Sequence, residues 1–183
     1  AGASHTIKGG TGSGDVNERE CVSIYQGMKN AGYHITSERW IAEYDSLYHV
    51  ARCSWRDKIK KGIAELGGGE ENFFPIYCIN PFRMPAGPEI TEKEEESDTA
   101  VFVISRIAGE GADRQAEGGD YFLTEEEHCR LEAVCRLYQN VVVVVNAGGQ
   151  IDLSFLDEFC NIKGLLILVQ PGMEGGNALA DIL

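Results

Sequence analysis

Two unbroken apolar runs stand out in the second half of the chain. Residues 141–145 are five consecutive valines, and residues 165–169 read Leu-Leu-Ile-Leu-Val. A third run covers residues 100–104. Apolar side chains at every position, not every second one, predict strands covered on both faces. Between the first and second strands lies Thr124 with Glu127 three residues on, the T-x-x-E pattern of a capping box. The helix it opens turns Leu131, Val134 and Leu137 to one side. Residues 152–160 predict a short helix, and residues 171–183 open another. Strand, helix, strand, helix, strand in this order predicts an α/β fold, a three-layer α/β/α sandwich with a mostly parallel central sheet. The runs at 141–145 and 165–169 are expected as inner strands.

The first half is less regular. A Gly-rich stretch, residues 6–18, runs into a helix that Asp15 or Asn17 could cap. Cys21, Ile24, Tyr25 and Met28 follow at helical spacing, and Gly32 is placed to end that helix. Ser37 can cap a second helix with a long apolar stripe: Trp40, Tyr44, Leu47, Tyr48, Ala51, Trp55 and Ile59. Residues 67–72 read as a loop, 81–90 as irregular, and 91–98 as a short helix or acidic turn.

Composition narrows the function classes. The chain has 183 residues, 43% apolar and 25% charged, which fits one globular domain over residues 1–183. The net charge of −13 argues against nucleic acid and against an anionic membrane surface. No stretch is apolar for long enough to span a bilayer, and no signal peptide is visible. Cys21, Cys53, Cys78, Cys129, Cys135 and Cys160 form no C-x-x-C pair, so no zinc site is expected; no cofactor is expected either. Most of them fall in apolar patterns, as small core residues do, and they imply a reduced, cytoplasmic setting. Both ends read as cut from a longer protein.

In parallel sheets ligands gather outside the carboxyl ends of the strands. Four polar, small-residue loops fall there: residues 11–17, 108–114, 146–150 and 170–176. The first lacks the lysine of a phosphate loop and misses the G-x-G-x-x-G spacing. In the second, Glu110 lies between Gly109 and Gly111. Bare neighbours let its carboxylate project into a cleft, where a docked ligand would raise its pKa and suit it to general-acid work. An exposed turn glutamate is the other reading. Asp113 and Arg114 could pair with each other or orient ligand hydroxyls. Glu174, at a helix start, is explained by the helix dipole. His5, His34, His49 and His128 show no spacing for metal or triad chemistry.

The stretches VFVISRIAGEGADR, GDYFLTEEE, VVVVVNAGGQIDLSFLD and LLILVQPGMEGGNALADIL resemble, in order and spacing, the second domain of glycoside hydrolase family 3. GGTGSGDVN is similar to the glycine-serine loop near that domain's start. The likeness covers nearly all of residues 9–183 and is weakest across 37–97. It implies a sandwich domain that packs beside a (β/α)₈ barrel domain and shares a carbohydrate substrate, commonly a β-glucoside, with it. The barrel would carry the aspartate nucleophile, and the sandwich the acid/base, here Glu110. Ser13 would border the aglycone side, and Asp113 and Arg114 match the polar run after the glutamate. Retaining chemistry would bring the two carboxyls about 5–5.5 Å apart. No barrel is found in these residues, so the nucleophile is expected outside the chain. A non-catalytic flavodoxin-like binding module is the reading from a different class.

Overall fold

The structure is a computed structural model, and it describes residues 2–12, 14, 19–109 and 113–183. Three strands, β1 (Thr99–Arg106), β2 (Asn140–Ala147) and β3 (Ile162–Ile167), form a sheet in the order β1-β2-β3. Both pairings are parallel. The expected parallel sandwich is therefore borne out. Val141, Val143 and Val145 pack with Phe102, Ile104, Leu131 and Val134 on one face. Val144 and Val103 pack with Ile24, Met28 and Leu179 on the other. The side-chain alternation of a strand thus feeds two cores from one run of valines.

The first face is covered by α4 (Glu125–Leu137) and the opposite face by α1 (Ile24–Asn30) and α5 (Gly175–Ala180). At the start of α4 the capping box is complete: Thr124 Oγ1 accepts from the Glu127 N–H, and Glu127 returns the contact to the Thr124 N–H. The cap of α1 is Ser23, whose hydroxyl accepts from Gln26 N. Asp15 and Asn17, the caps expected from sequence, lie outside the described residues. Gly32 ends α1 as expected, at φ +88°. The Tyr33 N–H reaches Met28 O and the Gly32 N–H reaches Lys29 O, the paired bonds of a Schellman stop. Helices α1 and α5 approach closely because Gly27 and Gly176 face each other. A Cβ on Gly27 would lie 2.1 Å from the Gly176 carbonyl.

The long helix α2 (Glu38–Glu65) packs against the short α3 (Phe73–Ile79). Of the expected stripe on α2, Tyr44 and Ile59 are buried, while Leu47 is 44% exposed. Tyr48 and Trp55 instead pack edge-on against Phe82. Residues 91–98 contain no helix.

Two expectations need correction. Residues 165–169 were expected as an inner strand, but β3 is an edge of the described sheet. Ile167 and Val169 are 56% and 57% exposed. An apolar run signals that both faces want cover; it does not say what provides it. Most of the cysteines are not core residues: Cys21, Cys53, Cys129 and Cys160 are exposed and Cys78 is partly covered, while Cys135 packs against the core as expected. Cys53 and Cys129 sit on outward faces of α2 and α4, which a small residue can occupy without disturbing the helical pattern. Burial pushes the Cys135 thiol up to about 11, with the Cys160 thiol adding to the effect.

Candidate functional site

The site is built at the carboxyl ends of β1 and β2. Strand β1 ends at Arg106, and the next residues turn toward the Gly-rich N-terminal loop. There Thr11 and Gly109 pair as a parallel bridge, and the Thr11 N–H donates to Ala108 O at 2.7 Å. Strand β2 ends in Asn146 and Ala147. Asn146 is fully buried: its Oδ1 accepts from Ile7 N at 2.6 Å. Its Nδ2 lies within 3.0–3.1 Å of the carbonyls of Ile7, Leu168 and Val169. One amide side chain therefore ties the N-terminal segment to the ends of β2 and β3. Gln170 lies over Gly148, where a Cβ would sit 2.2 Å from its Nε2 and 2.8 Å from Ala108 Cβ. All four loops singled out in the sequence meet here.

The loops at 11–17, 108–114 and 146–150 contribute lining to an open cleft of about 1340 Å³. Tyr48, Trp55, Tyr77 and Phe82 add an aromatic part to the same lining. Gly9, Gly10 and Thr11 line the cleft beside Ala108, Gly109, Asp113 and Arg114. Of the site residues expected from sequence, Asp113 and Arg114 are thus on this surface. Glu110 and Ser13 lie outside the described residues. Their described neighbours, Gly109 and Asp113 for the first and Gly12 and Gly14 for the second, bracket them in the chain.

Arg114 does not pair with Asp113, one of the alternatives left open by the sequence. Its Nη1 donates to Asp120 Oδ1 at 2.8 Å and to Ile107 O at 3.0 Å. Asp120 Oδ2 accepts from Gln115 N at 2.9 Å. Partial burial favours the neutral form of Asp120. The Gln115 N–H and the Arg114 guanidinium outweigh it and hold the carboxyl below its usual value. Arg114 Nη2 is buried with no hydrogen-bond partner among the described residues.

Beneath this layer lies a buried ion pair that the sequence did not reveal. Arg106 and Glu127 are each 4% exposed and form two hydrogen bonds, of 2.7 and 2.6 Å. Arg106 also donates to the carbonyls of Ser105, Asp120 and Phe122. The pair spans 21 residues of sequence, so no local pattern announces it. The only available signal was an arginine closing an apolar strand. Glu174 is the N-cap residue of α5 and accepts from Asn177 Nδ2 at 2.7 Å. Among the described residues no group of three His, Cys, Asp or Glu side chains could hold a metal ion. No described helix is long and apolar enough to cross a membrane.

Comparison with known proteins agrees with this geometry. The family model described as "Glycosyl hydrolase family 3 C-terminal domain" matches residues 1–183. Beta-glucosidase A of Butyrivibrio fibrisolvens is 29% identical over 97% of this chain and 22% of its own length. A beta-glucosidase of Ruminococcus albus is 32% identical over 96% of this chain and 17% of its own. The structure of beta-glucosidase 3B from Thermotoga neapolitana in complex with alpha-D-glucose matches all of this chain and 24% of that one, with a TM-score of 0.67 and 32% identity. A beta-glucosidase from Paenibacillus barengoltzii matches 99% of this chain and 18% of that one, with a TM-score of 0.75 and 27% identity. The chain therefore spans about a fifth of the length of these relatives.

Proposed function

The chain belongs to glycoside hydrolase family 3, and from that premise we propose that it is the acid/base-bearing domain of a retaining β-glucosidase. Its substrate would be a terminal β-linked glucoside or a related oligosaccharide. One observation supports this reading above the others. The Gly-rich loop and the loop that contains Glu110 are bridged side by side at the strand ends, on the rim of a large open cleft. Glu110 falls between Gly109 and Asp113, both of which line that cleft.

The chemistry then follows from one mobile proton. In the first step the Glu110 carboxyl gives its proton to the glycosidic oxygen as a nucleophile attacks the anomeric carbon. The C–O bond breaks, the aglycone leaves as an alcohol, and the sugar stays bound to the enzyme. In the second step the Glu110 carboxylate takes a proton from water. That water attacks the anomeric carbon, releases the sugar with its configuration retained, and restores the acid. The nucleophile belongs to a (β/α)₈ barrel domain beyond this chain, so the two domains share the active cleft. Ser13 borders the aglycone, Asp113 orients sugar hydroxyls, and Arg114 keeps Nη2 for the ligand. Cys53, Cys78, Cys129, Cys135 and Cys160 are free thiols, which suits a reducing compartment and so a cytoplasmic enzyme.

The test uses the intact enzyme that contains this domain. Glu110→Ala should leave attack on a substrate with an activated leaving group largely intact, since departure then needs little protonation. Hydrolysis of the glycosyl-enzyme loses its base, so rapid mixing should give a burst of leaving group followed by slow turnover. A folded variant that shows equal loss for activated and unactivated glucosides, and no burst, would refute the assignment.

A further inference from the structure

We infer that the groove between α2 and α3 is an aglycone site, and that it takes a flat aromatic aglycone carrying a carboxylate, such as a phenolic acid. The inference rests on the β-glucosidase reading of the adjoining cleft and names the substrate class. Arg52, Trp55, Arg56, Ile59, Lys60 and Ile63 recur at steps of three and four along α2, so they share one helix face. Phe73, Phe74 and Tyr77 of α3 complete the lining with Gly12 of the Gly-rich loop. The cavity measures about 540 Å³. That is within the range of about 300–1,000 Å³ usual for small-molecule pockets. Arg52, Trp55 and Tyr77 also line the large cleft, so the two spaces adjoin. A glucoside whose sugar sits among the strand-end loops reaches the groove by laying its aglycone across Trp55.

The lining defines the chemistry of the guest. Phe73 and Phe74 are 48% and 56% exposed. Two adjacent phenylalanines left so open, beside Trp55 and Tyr77, are a patch that a folded domain keeps for a ligand or a partner. Phe73 stacks on Tyr77 with ring centres 5.3 Å apart, and Tyr77 meets Trp55 edge-on at 5.5 Å. These rings brace one another, so little ordering is needed when a planar guest binds. The charge along the groove has one sign: among the described residues its lining holds three cations and no acid. Arg52 Cζ lies 4.5 Å from the centre of the Trp55 ring, at the seam between groove and cleft. Neither Arg52 nor Arg56 has a carboxylate partner among the described residues, and Lys60 has only Asp57, at 3.9 Å. In a chain of net charge −13 this cluster runs against the overall sign. A guanidinium offers parallel donors that match a carboxylate, which neutral sugars do not supply.

The experiment uses the intact enzyme that contains this domain, with Arg56→Gln and Phe74→Ala. Both side chains are exposed, and melting curves confirm that each variant folds. For each, kcat/KM is measured on 4-carboxyphenyl β-glucoside, on its methyl ester and on methyl β-glucoside. Every variant is compared with the unmodified enzyme on the same substrate, so differences in leaving-group reactivity cancel. Arg56→Gln should lower kcat/KM for the carboxylate about 10-fold relative to the ester, the effect of losing one charged partner. Phe74→Ala should lower both aryl glucosides about 3- to 10-fold relative to methyl β-glucoside, as loss of one aromatic contact does. Calorimetry with 4-hydroxybenzoate, the free aglycone, reads the groove without catalysis: Arg56→Gln should weaken its binding about 10-fold.

Substrate ratios that stay within about 2-fold of the unmodified enzyme in both folded variants would overturn the site. Equal losses on all three glucosides with a lowered Tm would also overturn it, and would mark the groove as a contact with another domain. An effect of Phe74→Ala without one of Arg56→Gln would overturn the carboxylate. If the intact enzyme cleaves none of the three glucosides, the glucosidase reading fails, and calorimetry decides the groove alone. Binding of 4-hydroxybenzoate that Arg56→Gln weakens then upholds the site, and absence of binding overturns it.

Discussion

Replacing Glu127 by alanine should be among the most damaging single changes in the domain. Glu127 is 4% exposed, and its two oxygens receive both terminal nitrogens of an equally buried Arg106. Its Oε2 also accepts from the Thr124 N–H, so the same side chain caps α4. Removing one member of a buried pair strands the other charge, at a typical cost of about 3–5 kcal/mol. Losing the reciprocal half of the capping box adds to this, though only by about 1 kcal/mol or less. In a domain of 150–250 residues each kcal/mol lowers Tm by about 2–4 °C. Glu127→Ala should therefore lower Tm by about 6–24 °C. Glu127→Gln, which keeps the volume and one acceptor, should cost clearly less. Arg106→Met should cost at least as much as Glu127→Ala. It leaves a buried carboxylate and also deprives the carbonyls of Ser105, Asp120 and Phe122 of their donor. Urea unfolding of the 183-residue chain, followed by far-UV circular dichroism, gives the free energies, and thermal melts give Tm. A loss below about 1 kcal/mol for Glu127→Ala would refute the view that this pair anchors the junction of β1, α4 and the site.

Asn146→Ala should destabilise by about 2–4 kcal/mol, because it orphans the Ile7 N–H and leaves three carbonyls short of a donor; chemical denaturation checks this, and a loss under about 0.5 kcal/mol would contradict it. Burial lowers the pKa of His5, with His49 pushing the same way and Asp45 opposing. The ring stacks on Tyr48 at 3.6 Å, and Nε2 lies 3.0 Å from Asp45 Oδ1. Since the unfolded chain binds this proton more readily, the contribution to stability is full above the unfolded value of 6.5 and is lost as pH falls below it. Stability measured from pH 7.5 to 5 should therefore decline, and His5→Asn should flatten that decline; an unchanged slope would contradict the assignment. On the proposed acid/base reading, in which the nucleophile lies on another domain, the pure 183-residue chain should fold but release no nitrophenol from an aryl β-glucoside; turnover by protein free of contaminants would count against this.

Much of the architecture was legible in the sequence because it rests on local physics. Five consecutive valines, a T-x-x-E box and a glycine after α1 each point to one structure, and each is found. The convergence of four loops also followed, from the general rule about parallel strand ends. What remained hidden depends on contacts across the chain. Arg106 finds Glu127 at a distance of 21 residues, and Asn146 finds Ile7 at 139. Arg114 chooses Asp120 over its neighbour Asp113, because the turn through Gly118 and Gly119 brings Asp120 back toward the loop. The apolar run at 165–169 misled for a related reason. Periodicity reports how much cover a strand needs, while an edge position is set by the rest of the sheet. The exposed cysteines misled because a small apolar residue satisfies a core pattern and a helix surface equally well.

The most direct test of the account is the stereochemistry of azide rescue in the intact enzyme with Glu110→Ala. Azide needs no general base, so it should attack the accumulated glycosyl-enzyme, restore turnover of an activated aryl β-glucoside, and give the β-glycosyl azide, identified by its anomeric proton coupling. An α-glycosyl azide would instead mark Glu110 as the nucleophile. The α-product, or no rescue by a folded variant, would contradict the assignment of Glu110 as acid/base.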